Sequence, residues 1–132
     1  MFSLGEKMDK VKAKNLSPVV LAFIGDAVYS LFVREKLTFN NDSKTGMLNK
    51  LAISEVRATA QSEFIKEILS LLTEEELSIF KRGRNAKKTT RSKSASIADY
   101  NNSTGFEALL GYLYLTGEVD RLNFLLNKGN VQ

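Results

Sequence analysis

Apolar residues recur along this chain at spacings of three and four, and no segment alternates with a period of two. That pattern predicts an all-α fold. The longest apolar stretch, Leu16 to Val33, opens with Ser17 and Pro18, an N-cap followed by proline at the first helical position, where its missing N–H costs nothing. The helix predicted from there runs through VVLAFIGDAVYSLFVREK and is apolar nearly all round apart from Gly25, Asp26 and Ser30. Such a helix is expected to be wrapped by others. A turn-rich stretch, TFNNDSKTG, follows it. Leu48, Leu51, Ala52, Val56, Ala60 and Phe64 then mark an amphipathic helix, and Ile65, Ile68, Leu69 and Leu72 carry the packing onward. Thr73 and Glu76 have the spacing of a capping box that opens a helix through LSIFKR. Residues 83 to 103 lose the apolar period, which predicts a basic mobile loop over about 81–103. Two further helices, in GFEALLGYLYLTG and EVDRLNFLLNKG, are each stopped by a glycine, Gly117 and Gly129.

Composition narrows the chemistry. A chain of 132 residues with one proline, no linker and no internal repeat is expected to form a single domain over residues 1–132. There is no cysteine and no histidine, which excludes disulfides, thiolate metal sites and imidazole bases. Hydrolytic chemistry would have to run on carboxylates, with a hard, oxygen-loving cation. The amino terminus mixes acids and bases without an apolar run, and Leu16 to Val33 carries too many polar and helix-breaking residues for a membrane span, so a cytoplasmic location is expected.

Net charge is +4, but it is unevenly spread. Lys81, Arg82, Arg84, Lys87, Lys88, Arg91 and Lys93 supply seven of the 19 basic residues, leaving 12 bases against 15 acids elsewhere. A positive segment on a slightly acidic body points to a polyanion, most often nucleic acid. Lys81, Arg82, Arg84, Asn85, Lys87, Lys88 and Arg91 all carry donors suited to phosphates, although lysine-rich loops are often merely solvated.

Two acids stand in apolar surroundings. Asp26 lies mid-helix between Phe23 and Val28, where a buried carboxylate needs a partner, a hydrogen bond or a cation. A structural salt bridge and a functional site explain it equally well. Glu107 follows Thr104 at T-x-x-E spacing and has a capping-box reading of its own. Each acid, however, shares its helix with an interior glycine, Gly25 or Gly111, which is tolerable where another helix backbone comes close. Two close-packed helices with one acid each can form a minimal divalent-cation site.

FIGDAV (Phe23 to Val28) and FEALLGYLYL (Phe106 to Leu115) resemble the two catalytic-helix motifs of the ribonuclease III family, and KRGRNAK followed by STGFEALLGYLYL resembles its mini-ribonuclease III branch. The resemblance runs in order from about Leu16 to Arg121. It implies a helical, homodimeric endoribonuclease that cleaves double-stranded RNA with Mg2+ and trims the large-subunit (23S) ribosomal RNA precursor. Asp26 and Glu107 take the places of the family's catalytic, metal-binding acids. Where larger relatives carry further acids, this chain has Val19, Ala22 and Thr104. The basic segment would substitute for the double-stranded RNA-binding domain of those relatives. A non-catalytic helical RNA-binding module is the alternative, and the joint presence of Asp26 and Glu107 speaks against it.

Overall fold

Pro18 opens the long helix as its neighbour Ser17 demands, with the Val19 N–H meeting the Ser17 hydroxyl at 3.3 Å. A computed structural model of the protein describes residues 6–40, 44–88 and 95–130. Within them the chain forms α1 (Lys10–Lys14), α2 (Pro18–Asn40), α3 (Thr45–Val56), α4 (Ala58–Ile68), a 3-10 turn at Leu69–Leu71, α5 (Glu74–Asn85), α6 (Ile97–Leu115) and α7 (Val119–Leu126), with no strand. The fold is all-α. Among the described residues no helix is long and apolar enough to cross a membrane.

The capping box at α5 is present in both directions. Thr73 N–H donates to Glu76 Oε1 at 2.9 Å, and Glu76 N–H donates to the Thr73 hydroxyl at 3.1 Å. Glu74, Glu75 and Glu76 in the first turn and Arg82 and Arg84 in the last also complement the helix dipole. Glu76 is buried and bound by Arg121 of α7, whose Nε and Nη2 each approach it to 2.7 Å. Burial works against its charge, but the Arg121 and Thr73 hydrogen bonds outweigh it and hold the carboxyl below its ordinary range. Gly117 and Gly129 take positive φ after the last two helices, as stop residues should.

α6 is the hub, packed against α2, α4 and α5. From Ser103 to Leu113 every residue except Glu107 is buried. Phe106 anchors an aromatic cluster, with Tyr29 of α2 at 5.1 Å and Phe64 of α4 at 5.2 Å between ring centroids.

Several sequence expectations need correction. The supposed loop over 81–103 is much shorter: α5 continues to Asn85, α6 begins at Ile97, and residues 89–94 lie outside the described residues. The early part of α6 lacks an apolar period because its contacts are polar and distant: Asn102 Nδ2 donates to the Ser62 hydroxyl on α4 at 3.1 Å. Ser96 caps α6 through the Asp99 N–H at 3.1 Å. Thr104 is therefore mid-helix, its hydroxyl donating to the Tyr100 carbonyl, and the capping-box reading of Thr104 and Glu107 falls. The helix expected through Phe64 is broken at Arg57, which is extended (φ −67°, ψ 158°).

Nor is α2 wrapped on all sides. Leu21, Gly25, Tyr29, Val33 and Leu37 face the core, while Val20, Phe23 and Leu31 stay exposed, Phe23 at 83%. The neighbouring helices of one chain cover a single side.

Candidate active site

The two acids meet because α2 and α6 cross at van der Waals limits. A Cβ built on Gly25 would overlap the carbonyl oxygen of Glu107, and one built on Gly111 would overlap the carbonyl oxygen of Leu21. Only glycine permits both approaches. The contact seats Asp26, the residue after Gly25, beside Glu107.

The pair is electrostatically uneven. Asp26 is exposed, against the sequence expectation of a buried group, because it lies at the edge of the covered side of α2. Glu107 is partly buried, and its carboxyl is pushed up to about 8, first by burial and then by the charge and hydrogen bond of Asp26. A hydrogen bond from Gln61 of α4 works in the opposite sense. Its Nε2 lies 3.3 Å from Glu107 Oε2. Among the described residues no further acid, histidine or cysteine completes a cluster of three.

Asp26 and Glu107 line an open cleft of about 610 Å³ together with Val19, Ala22 and Phe23 of α2, Tyr100 and Thr104 of α6, and Lys87 and Lys88 after α5. Val19, Ala22 and Thr104 thus face the cleft without adding charge. The two lysines bring the positive segment to its rim. Lys88 is partly desolvated, which lowers its pKa, and its Nζ donates to the carbonyls of Ala86 at 2.7 Å and Arg84 at 3.2 Å.

The other basic candidates are distributed differently. Lys81 and Asn85 are exposed on α5, and Arg84 donates to Asn85 Oδ1 at 3.1 Å while lying over the Phe80 ring. Arg82 Nη1 donates to the Lys14 carbonyl at 2.7 Å, so this residue secures the segment between α1 and α2. Arg91 lies outside the described residues. Gln61 escaped sequence reasoning; the signal was a polar side chain in register with Ile65 and Ile68 on the buried side of α4.

The fold is that of a ribonuclease domain. The chain belongs to the ribonuclease III family, whose Ribonuclease III domain matches residues 19–118, a span that contains both acids. It is an endoribonuclease of the ribonuclease III type, a class that acts on double-stranded RNA. Within the family it stands with the mini-ribonuclease III branch. Mini-ribonuclease 3 of Clostridium tetani is 48% identical over 126 residues, covering 95% of this chain and 83% of that one. Mini-ribonuclease 3 of Thermoanaerobacter sp. is 49% identical over 121 residues, covering 92% and 85%. A crystal structure of a Fusobacterium nucleatum protein matches with a TM-score of 0.77 at 32% identity, covering 86% of this chain and 90% of that one.

Proposed function

We propose that the protein cleaves double-stranded RNA with Mg2+ as a cytoplasmic homodimer and matures the large-subunit (23S) ribosomal RNA precursor, with Asp26 and Glu107 as the catalytic, metal-binding acids. The observation that carries this reading is the contact of the two carboxylates in a cleft rimmed by Lys87 and Lys88. Two carboxylates forced together hold a proton between them unless a cation takes its place. Oxygen donors in a set of two suit Mg2+, which keeps several waters and lets a substrate phosphate complete its shell. When bound, Mg2+ supplies Lewis acidity at the phosphoryl oxygen and lowers the pKa of water. Asp26 and Glu107 hold and orient the cation, while Lys87 and Lys88 bring the polyanionic backbone to them. The rRNA target rests on the kinship with the mini-ribonuclease III branch. Incubation of the protein with long double-stranded RNA in Mg2+ or in EDTA tests the activity: fragments only with Mg2+ are expected, and fragments of equal yield in EDTA would overturn the metal assignment.

The uncovered side of α2 supports the homodimer. Val20, Phe23 and Leu31 form an exposed apolar stripe at helical spacing, which a two-fold copy of itself can bury. Phe23 also lines the cleft, so pairing there brings two clefts near one duplex. Light scattering should give twice the chain mass for the wild type and the chain mass for Phe23→Glu. A wild-type monomer that still cuts both strands would remove the dimer from the mechanism.

Shape and charge, more than base identity, should govern RNA affinity. Neutralising Lys81, Lys87 and Arg91 together to glutamine is expected to flatten the plot of log affinity against log salt by roughly two to three, since each phosphate contact contributes about 0.9 on duplex DNA. Arg82 is left intact because it holds backbone. Binding isotherms at several salt concentrations measure the slope, and an unchanged slope would move the RNA surface elsewhere.

A further inference from the structure

Gln61 has no part in the chemistry above, yet its amide is placed with care. It is 2% exposed, and its Nε2 donates to the Val56 carbonyl at 2.6 Å and to Glu107 Oε2 at 3.3 Å. Its Oε1 is buried without a hydrogen-bond partner among the described residues. An unsatisfied buried oxygen costs on the order of 1–3 kcal/mol, so this orientation needs a cause.

Val56 supplies it. The interruption at Arg57 releases the Val56 carbonyl from the α-helical ladder, and a carbonyl only accepts. The amide nitrogen must face it, and its second hydrogen is then committed to Glu107. Turning the amide over would set an oxygen against two acceptors. The helix break, the buried amide and the acid therefore form one hydrogen-bonded series.

Resting on the reading that Asp26 and Glu107 hold Mg2+, we infer that Gln61 is a positioning residue, which fixes the Glu107 carboxylate by Oε2 in the orientation that binds the cation. Gln61 is not among the residues lining the cleft, so it acts through Glu107. Its neutrality matters. A cationic donor at this position would orient Glu107 but cancel the charge that attracts the metal, whereas an amide orients without neutralising.

Two variants test this: Gln61→Met, of similar volume without donors, and Gln61→Lys, which retains donors but adds charge. Titration calorimetry of Mg2+ into RNA-free protein should show affinity reduced by about 10- to 100-fold in Gln61→Met, the range typical of groups that orient a metal ligand. Turnover should fall with KM for RNA unchanged, and raised Mg2+ should restore it. Gln61→Lys should fold at least as well as the wild type, because it pairs with a repelled carboxylate, and should still bind Mg2+ weakly. Should Gln61→Met fail to fold, Gln61→Asn decides the matter, because its shorter amide stays polar but cannot reach both the Val56 carbonyl and Glu107. Unaltered Mg2+ affinity in the folded variants, with only melting temperature changed, would reduce Gln61 to a cap on Val56. Glu107→Gln run in parallel separates the two levels: retained Mg2+ binding there would sink the metal site itself, while its loss beside intact binding in the Gln61 variants would sink only the positioning role.

Discussion

Asp26→Asn and Glu107→Gln should each lower cleavage of double-stranded RNA by about a hundred- to a thousandfold or more, the typical effect of removing one preorganised charge from a transition-state site. RNA binding should survive, because Lys87 and Lys88 are untouched. The same substitution should stabilise the metal-free protein. Glu107 is raised from 4.5 to about 8 by burial and by Asp26. An acid whose folded pKa is raised stabilises the native state fully below its unfolded value, and that contribution is lost as pH rises through the folded value. In EDTA, wild-type melting temperature should therefore fall between about pH 5 and pH 9 relative to Glu107→Gln. At pH 8.5 the gap should be close to its full size. Added Mg2+ should close it by stabilising the wild type alone. Gel assays and melting curves across pH read both effects. Near-normal turnover in either variant would make that residue structural, and a Glu107→Gln protein no more stable than wild type at pH 8.5 would mean that the pair stores no repulsion.

Such a gain in stability on loss of function is expected where a site holds like charges together. It also explains why both acids were legible in the sequence. A carboxylate amid apolar helix residues breaks the local pattern, and each broke it near a glycine that breaks it again. The starts of α2 and α5 and the stops after α6 and α7 were legible for a related reason: Ser17 with Pro18, Thr73 with Glu76, and Gly117 and Gly129 act within a few residues of themselves.

What the sequence did not disclose depends on partners far along the chain. Asn102 is polar and reads as loop, but it is helical because Ser62 on α4 receives its amide. Arg57 carries no glycine or proline signal, yet the chain is extended there and the freed Val56 carbonyl is taken up by Gln61. Arg82 reads as a phosphate ligand from its neighbours, and its hydrogen bond to the Lys14 carbonyl is a contact that only the packing of α1 reveals. The exposure of Phe23 is likewise a matter of which helices happen to cover α2.

Gly25→Ala and Gly111→Ala should each lower the melting temperature by roughly 10 °C or more and abolish cleavage at temperatures where the protein is still folded. Two effects compete. Alanine is the better helix former by about 1 kcal/mol, which favours the variants. Against that, the new Cβ at Gly25 would overlap the Glu107 carbonyl oxygen and lie 2.9 Å from the Gly111 nitrogen, while at Gly111 it would overlap the Leu21 carbonyl oxygen. Overpacking costs about 1–3 kcal/mol even where side chains can yield, and here the obstacles include backbone on both helices. The clash wins, and α2 and α6 must separate. Because Asp26 and Glu107 sit on either side of that contact, separation spoils the pair before it unfolds the domain. Gly46 is the control, since a Cβ there meets nothing within 4 Å. Gly46→Ala should keep full activity and melt no lower than the wild type. Melting curves and cleavage assays on all three variants decide the matter. If Gly25→Ala keeps wild-type turnover, the acids do not depend on this crossing, and if Gly46→Ala fails as badly as the others, the effect belongs to helix glycines in general.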